Sequence, residues 1–298
     1  MRRRRLLRLL GIGAAGLAFG DAARREPEGV RWRGAALGAA ATIELFGVAR
    51  DRAESAIAAA LEELARLEAV FSLFDPESAL SRLNRERVLR RPPLELLEVL
   101  ALARRLAVLG EGAFDPTIQP LWLAVARGAS RAERRAAHRL VDWRALEASP
   151  EAVVLHRRGM AVTLDGIAQG YLTDRVAEVL RGQGIARVLV DLGELRVAGG
   201  HPSGRPWRIG RRGLPPVEIV GGAVASSVAI LDGVPRILDP RTGEPPPLRG
   251  LVTVVAPEAV VADGLSTALC VLGPERGKAL LAAFPGARLS GAVASDRG

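Results

Sequence analysis

MAVTLDGIAQGYLTDRVAEVLRGQGIARVLVD, residues 160–191, combines strand and helix patterns within one short segment. Short apolar runs typical of strands, MAVTL and ARVLVD, stand at its two ends. Between them, Val176 and Leu180 lie at helical spacing, and the polar sequence DGIAQG joins the first run to this helix. We therefore predict a strand, a helix and a buried strand in this order.

The residues before this stretch predict strands, helices and ordered turns. Residues 41–48 and 152–157 are typical of strands. Helical periodicity is found in three segments, residues 49–71, 94–109 and 131–138. We predict a loop over residues 71–84. Because of its two prolines, we predict an ordered turn without a regular helix over residues 112–122.

The residues after this stretch are richer in strands. Strands are predicted over residues 207–210, 217–220, 223–228, 236–238 and 251–257. Two short helices, over residues 261–272 and 275–284, precede a final strand-like segment. No repeat or interdomain linker is visible. The predicted fold class is α+β, a single domain with mixed or antiparallel sheets flanked by helices, in one lobe or two.

The first 22 residues predict an export signal. Arginines at positions 2–5 are followed by an apolar run from Leu9 to Phe19. This run is too short for a membrane span, which needs about 20 apolar residues, and the pattern RRxLLR indicates the twin-arginine route. We expect a signal peptide over residues 1–22 and a mature domain over 23–298 that works in the periplasm or elsewhere outside the cytoplasm. The alternative is a basic tail or a retained amphipathic anchor.

The distribution of charge argues against nucleic acid as a partner. The formal net charge is +9, but five arginines belong to the predicted signal, and without these five about +4 remains. The remaining arginines are scattered among Ala, Gly and Leu and form no phosphate-binding stripe. We therefore expect no nucleic acid partner.

Several common catalytic sites are excluded by the pattern of polar residues. His138, His156 and His201 stand alone, without the spacing of a zinc site. No GxSxG elbow, no Walker loop and no GxGxxG sequence after a strand occurs. Cys270 is the single cysteine and lies in an apolar run, so we expect it to be buried.

The remaining polar residues gather in five short sequences, each of which joins an Asp to Gly, Thr or Pro. These sequences are GAFDPTIQP, LDGIAQGY, VDLGE, LDPRTG and ADGLSTAL. In the last of them, Asp263 and Thr267 are four residues apart on a predicted helix, so a carboxylate and a hydroxyl lie on one face. Such oxygens suit a hard cation such as Mg²⁺, to which Gly166 could add a backbone carbonyl. Alternatively, Asp263 is an N-cap and Thr267 a packed helix residue.

In order and spacing, these five sequences and FSLFDPESALSRLN resemble the ApbE family, the FAD:protein FMN transferases. Each motif alone is weak, but six in the same order span nearly all of the predicted mature chain. The resemblance implies an ApbE-like fold, FAD as substrate and Mg²⁺ as cofactor. It implies three metal-binding positions: Gly166, Asp263 and Thr267. It implies eight flavin-binding positions: Leu37, Phe74, Ala113, Phe114, Asp115, Thr163, Gln169 and Leu238.

The resemblance also implies a reaction. FAD is cleaved at its pyrophosphate, FMN is transferred to a threonine or serine hydroxyl of another protein, and AMP leaves. Asp263, Asp239 and Asp165 are candidates for the catalytic base. The acceptor is expected to be a flavoprotein that is membrane-bound or periplasmic. Two alternatives stay open: a FAD pyrophosphatase that gives FMN and AMP, and a non-enzymatic flavin-binding accessory or carrier protein in metalloenzyme maturation.

The chain departs from the family pattern at several of these positions. Where most members read DLGGIAKG, this chain reads TLDGIAQG, so Thr163, Asp165 and Gln169 replace Asp, Gly and Lys. The positive charge that Gln169 lacks could come from one of three arginines: Arg175, Arg211 or Arg241. Arg236 replaces a family histidine that could serve as an acid or base. The sequences GIAQGY and VDLGE are similar to an ApbE-like branch associated with periplasmic maturation of nitrous oxide reductase.

Overall fold

The computed structural model of this protein describes residues 29–211, 214–231, 233–248 and 250–292. The predicted signal peptide, residues 1–22, lies outside this part of the chain. None of the helices in the described part is long and apolar enough to cross a lipid bilayer.

Helices occur mainly where the sequence predicts them. The α-helices of the described residues are α1 (Arg50–Phe71), α2 (Ala79–Glu86), α3 (Leu94–Leu109), α4 (Gln119–Ala126), α5 (Arg131–His138), α6 (Ala168–Gly182), α7 (Ala259–Arg276) and α8 (Lys278–Ala282). The helices predicted over residues 49–71, 94–109 and 131–138 are confirmed, as is the helix that follows DGIAQG.

The strands form one large sheet and three small ones. Within the described residues they are β1 (Gly29–Ala36), β2 (Ala39–Phe46), β3 (Val88–Arg90), β4 (Leu146–Ala148), β5 (Ala152–Leu155), β6 (Arg187–Asp191), β7 (Leu195–Ala198), β8 (Trp207–Arg211), β9 (Leu214–Ile219), β10 (Gly222–Val228), β11 (Ile230–Leu231), β12 (Val234–Pro235), β13 (Leu251–Ala256) and β14 (Arg288–Ala292).

All pairings in these sheets are antiparallel. The large sheet has the order β1-β2-β6-β7-β10-β13-β14. The smaller sheets are β3-β5-β4, β8-β9 and β11-β12. The predicted α+β class, with antiparallel sheets flanked by helices, is confirmed.

Side chains of the large sheet alternate between two apolar cores. In β6, Val188 and Val190 join the core that the helices cover, whereas Leu189 points to the opposite face. There Leu189 packs in a smaller core with Trp207 and Ile209 of β8. Because β6 is covered on both faces, its sequence is an uninterrupted apolar run rather than an alternating one.

Helices α6 and α7 touch at Gly170, where a Cβ atom would lie 2.4 Å from the carbonyl oxygen of Ala259. One turn further along α6, Asp174 accepts hydrogen bonds of 2.9 Å from the N–H groups of Ala259 and Val260. It thus supplies, from another helix, the cap that the first turn of α7 needs. Burial raises the pKa of Asp174 to about 6, and Arg196, 2.7 Å away, opposes this rise.

Residues 160–164, predicted as a strand, form none. Instead, Val162 exchanges hydrogen bonds of 2.6 and 2.8 Å with the side-chain amide of Asn84 on α2. The N–H group of Thr163 donates to the carbonyl oxygen of Pro116 at 2.8 Å. These bonds satisfy the backbone that a neighbouring strand would otherwise satisfy, and they fix the segment that leads into α6.

Residues 236–238 also form no strand, contrary to prediction. The N–H groups of Arg236 and Ile237 both donate to the carbonyl oxygen of Ala229, at 2.8 and 3.2 Å, so the chain turns there.

Strand β1 forms where no strand was predicted from the sequence. It pairs with β2 through a tight turn at Leu37 and Gly38, both of which have positive φ.

Two helices lie where the sequence predicts other structure. Helix α4 begins at Gln119, within the segment predicted as a turn. Pro120 is tolerated there because it occupies the first helical turn, where an N–H group would have no partner within the helix.

Helix α2 begins within the predicted loop over residues 71–84. Ser78 caps it by accepting a 3.0 Å hydrogen bond from the N–H group of Ser81.

The contact at Gly170 predicts opposite effects for two glycine substitutions in α6. Gly170→Ala should lower the free energy of unfolding by about 1–3 kcal/mol, because the new methyl group overpacks the helix crossing. Gly182→Ala, where no atom lies within 4 Å of the new methyl group, should raise it by about 0.4–1 kcal/mol. Urea denaturation followed by circular dichroism measures both, and equal effects of the two substitutions would contradict the close approach.

Candidate active site

One pocket opens where the start of α6, the middle of α7 and the end of β10 meet two loops, residues 113–119 and 236–240. All eight residues predicted to bind flavin line it: Leu37, Phe74, Ala113, Phe114, Asp115, Thr163, Gln169 and Leu238. So do the three predicted metal-binding residues, Gly166, Asp263 and Thr267. Of the three candidate bases, Asp165 and Asp263 line the pocket and Asp239 does not.

Asp263 lies in the second turn of α7, so it is not the N-cap that the alternative interpretation proposes; Glu258 occupies that position. Its Oδ2 atom accepts a 3.0 Å hydrogen bond from the N–H group of Gly170. The contact that joins α6 to α7 therefore also orients this carboxylate. Thr267, one turn further along α7, lines the same pocket.

Gly166 lies directly against Thr267. A Cβ atom on Gly166 would be 2.9 Å from Thr267 Oγ1 and 3.0 Å from Thr267 Cγ2, so a larger residue would displace that side chain. The Oγ atom of Ser227 lies 3.3 Å from Thr267 Oγ1 and 2.6 Å from the Oγ atom of Ser266. The pocket thus brings the Asp263 carboxylate and the Thr267 hydroxyl together with Gly166, whose backbone carbonyl is the third predicted oxygen donor.

Two carboxyl groups near the predicted metal-binding residues have raised pKa values. Burial raises the pKa of Asp263 to about 7; the Gly170 N–H group opposes the rise, and Asp165 and Asp174 add to it. Glu194 is also buried, and burial together with the charge of Asp263 raises its pKa well above the ordinary value. A bound cation would relieve this cost of ionisation.

Glu194 is an acidic residue of the pocket that was not predicted from the sequence. Its Oε2 atom accepts a 3.2 Å hydrogen bond from the N–H group of Ser226, on β10. The sequence feature that could have indicated Glu194 is VDLGE, where this glutamate follows a buried strand and precedes another apolar strand. Ser227 and Trp122 also line the pocket without having been predicted.

Asp115 has both of its carboxylate oxygens engaged within the protein. Oδ1 accepts from the N–H group and the hydroxyl of Thr117 at 2.8 and 2.7 Å, and Oδ2 accepts from the N–H group of Trp143 at 3.0 Å. Burial raises the pKa of Asp115, and these bonds oppose the rise. Asp115 therefore shapes the loop over residues 113–119.

Asp239 lies behind the pocket wall. Its two oxygens accept hydrogen bonds of 2.8 and 2.7 Å from the guanidinium group of Arg241, and Oδ1 also accepts from the Arg241 N–H group. This pairing fixes the DPRTG turn, and the residues on either side of Asp239, Leu238 and Pro240, line the pocket while Asp239 does not. A catalytic role for Asp239 therefore has no support in this arrangement.

Apolar side chains also line the pocket. Phe74 is half exposed, and Phe114 is buried next to Gly166, where a Cβ atom would lie 3.4 Å from Phe114 Cε2. Leu37 has a positive φ of 47° and donates its N–H to Glu68 Oε1 at 2.7 Å, so the β1–β2 turn is held against the pocket. Aromatic and aliphatic side chains of this kind can bind one face of a planar ring system.

None of the three arginines expected to replace the missing lysine charge lines the pocket. Arg175 pairs with Glu178 at 2.7 Å, and Arg241 pairs with Asp239. Arg211 donates to the carbonyl oxygen of Ser290 at 3.2 Å.

The sequence is similar to a family of flavin-transferring enzymes. The model of the ApbE family matches residues 37–289. A FAD:protein FMN transferase of Treponema pallidum is 32% identical over 280 residues, which cover 79% of this chain and 77% of that protein. A FAD:protein FMN transferase of Vibrio cholerae serotype O1 is 33% identical over 245 residues, which cover 70% of this chain and 71% of that protein.

Solved structures show the same similarity. The flavin transferase ApbE from Vibrio cholerae has a TM-score of 0.76 and 28% identity, over 88% of this chain and 93% of that one. The Pseudomonas stutzeri flavinyl transferase ApbE, in its apo form, has a TM-score of 0.75 and 29% identity, over 85% of this chain and 87% of that one. The family predicted from six short motifs is thereby confirmed, and the chain belongs to the ApbE family.

Proposed function

We propose that this protein transfers FMN from FAD to a threonine or serine hydroxyl of an acceptor protein and releases AMP. Its named relatives are FAD:protein FMN transferases. The observation that carries the proposal is that one pocket gathers all eight residues predicted for flavin and all three predicted for metal, from positions between Leu37 and Thr267. The pocket combines apolar side chains, which suit the flavin ring of FAD, with oxygen donors for a metal ion, which suit its pyrophosphate.

The proposed reaction is a phosphoryl transfer without redox change. The acceptor hydroxyl oxygen bonds to the flavin-side phosphorus of FAD, and the bond from that phosphorus to the bridging oxygen breaks. AMP leaves with the bridging oxygen, and the hydroxyl proton passes to a base. The flavin ring is cargo, so the pocket must bind and position it without altering it.

Mg²⁺ is the cofactor that the donor set favours. The Asp263 carboxylate, the Thr267 hydroxyl and the Gly166 carbonyl are hard oxygen donors of the kind this ion prefers. Across the described residues, no group of three or more His, Cys, Asp or Glu could hold a metal ion. Waters and substrate phosphates would therefore complete the coordination shell, as is common for Mg²⁺. When bound, the ion neutralises charge on the pyrophosphate.

Asp165 is the best-placed candidate for the base. Its side chain is accessible to water from the pocket, whereas Asp239 lies behind the wall and Asp263 is held by Gly170. Partial removal from bulk solvent by the pocket walls raises the pKa of Asp165, which makes its carboxylate a better proton acceptor; a hydrogen bond from Thr163 and the charge of Arg236 oppose the rise. We assign to Asp165 the uptake of the acceptor hydroxyl proton.

The acceptor is proposed to be a membrane-bound or periplasmic flavoprotein. The twin-arginine-type signal predicted over residues 1–22 supports this location. Similarity of GIAQGY and VDLGE to the branch associated with nitrous oxide reductase maturation stays a prediction. The pyrophosphatase alternative would release AMP without acceptor, and the carrier alternative would bind FAD without releasing AMP.

Asp263→Ala tests the metal-binding end of the pocket. Transfer should fall by about 100-fold or more, because removing a direct ligand costs more than the 10–100-fold typical of residues behind the ligands. The measurement is in-gel flavin fluorescence of a purified acceptor domain that a related transferase modifies, incubated with FAD and Mg²⁺. EDTA should abolish labelling by the wild type. Asp51→Ala, an exposed carboxylate on α1, is the matched control and should label normally; an unlabelled acceptor with wild-type protein contradicts the proposal.

The raised pKa of Asp263 predicts a pH-dependent requirement for Mg²⁺. Protons compete with the ion below a pKa of about 7, so the half-saturating Mg²⁺ concentration should rise about tenfold from pH 8 to pH 6. Initial transfer rates over a Mg²⁺ titration at each pH, with FAD saturating, measure this shift. A half-saturating concentration that stays constant over this range would show that Asp263 is already ionised in the metal-free pocket.

A further inference from the structure

We propose that Arg236 is the phosphate-binding residue of the pocket, with its guanidinium group contacting the flavin-side phosphate of FAD. This inference rests on the proposed function, because it presumes that FAD is the ligand. It assigns a residue that the motifs mark only as a departure from the family pattern.

The described residues that line the pocket carry one cationic side chain. Four carboxyl groups line it: Asp115, Asp165, Glu194 and Asp263. Among the described lining residues, Arg236 alone carries a positive charge. A pyrophosphate entering this pocket needs positive partners to offset its desolvation, and Arg236 is the one that the protein itself supplies there.

Arg236 lies close to the metal-binding end of the pocket and to a predicted flavin contact. Its next neighbours in the chain, Ile237 and Leu238, line the same pocket, and Leu238 is one of the positions predicted to bind flavin. Asp165, whose charge interacts with Arg236, directly precedes Gly166 at the metal-binding end. The flavin-side phosphate of FAD must lie between these two regions, since it joins the flavin to the pyrophosphate bridge.

The backbone of Arg236 is held on both sides. Its N–H group donates to the carbonyl oxygen of Ala229 at 2.8 Å, and its carbonyl oxygen accepts from Trp122 Nε1 at 3.1 Å. The side chain is half-buried, which lowers the pKa of its guanidinium group, while Asp165 raises it. A partly desolvated, fixed cation interacts more strongly with an anion than an exposed one does.

Arginine also suits this role chemically. Its planar guanidinium group can donate two parallel hydrogen bonds to one phosphate. It stays protonated under physiological conditions, so it contributes charge rather than acid or base chemistry. The neutral Gln169 gives no such charge, and its amide packs against Gly193, where a Cβ atom would lie 2.8 Å from Gln169 Nε2.

Binding of three flavins to the Arg236→Gln variant tests the assignment. Riboflavin has no phosphate, FMN has the flavin-side phosphate, and FAD has both. With EDTA present, quenching of flavin fluorescence should show that FAD and FMN bind at least about tenfold more weakly than to wild type, a loss equivalent to about 1.4 kcal/mol. Riboflavin should bind equally to both proteins, which also shows that the variant is folded.

Two further variants sharpen the test. Arg236→Lys keeps the charge but not the two-pronged geometry, so its FAD affinity should fall between those of the wild type and Arg236→Gln. Arg134→Gln removes an exposed arginine of α5 that does not line the pocket and should bind all three flavins normally.

Three results would overturn the assignment: unchanged FAD binding by Arg236→Gln, an equal loss for riboflavin, or a loss for FAD without a loss for FMN. The last would place the contact on the AMP-side phosphate. Failure of the proposed function is distinguishable, because wild-type protein would then bind no FAD or label no acceptor.

Discussion

Helices α6 and α7 approach each other so closely at Gly170 that a methyl group there would collide with the carbonyl oxygen of Ala259. The N–H group of Gly170 meets Asp263 of α7, and Asp174 of α6 caps the first turn of α7. The two helices are thus joined by two carboxylates as well as by apolar packing. This crossing brings together DGIAQG and ADGLST, sequences almost 100 residues apart, and sets Gly166 against Thr267.

The same crossing concentrates negative charge. Asp263 and Glu194 are buried near each other, and the pKa of each is raised by that burial. A pocket with buried carboxyl groups favours cations, in agreement with the proposed Mg²⁺ and with the position of Arg236 beside Asp165. Because the proposed metal and the proposed substrate carry opposite charges, the binding of each would favour the binding of the other. The apolar side chains of Phe74, Phe114 and Leu37 contribute binding without charge.

Much of the fold could be predicted from the sequence because it depends on local patterns, whereas the residues that line the pocket were predicted through the resemblance to the ApbE family. The periodicity of α1 and the apolar run of β6 follow directly from burial on one face or on two. The strand predicted over residues 160–164 was wrong because a distant side chain, Asn84, satisfies its backbone. Nor could the sequence show which aspartates face the pocket. Asp239 is turned away by Arg241, only two residues along the chain.

The proposed transfer of FMN from FAD to a protein hydroxyl can be separated from hydrolysis by one ratio. This is the ratio of AMP released to flavin covalently attached to the acceptor, followed over a time course with Mg²⁺ present. Transfer predicts a ratio of one throughout, with negligible AMP when the acceptor is omitted. AMP formed in the absence of acceptor, or in excess over attached flavin, would contradict transfer and identify water as the nucleophile.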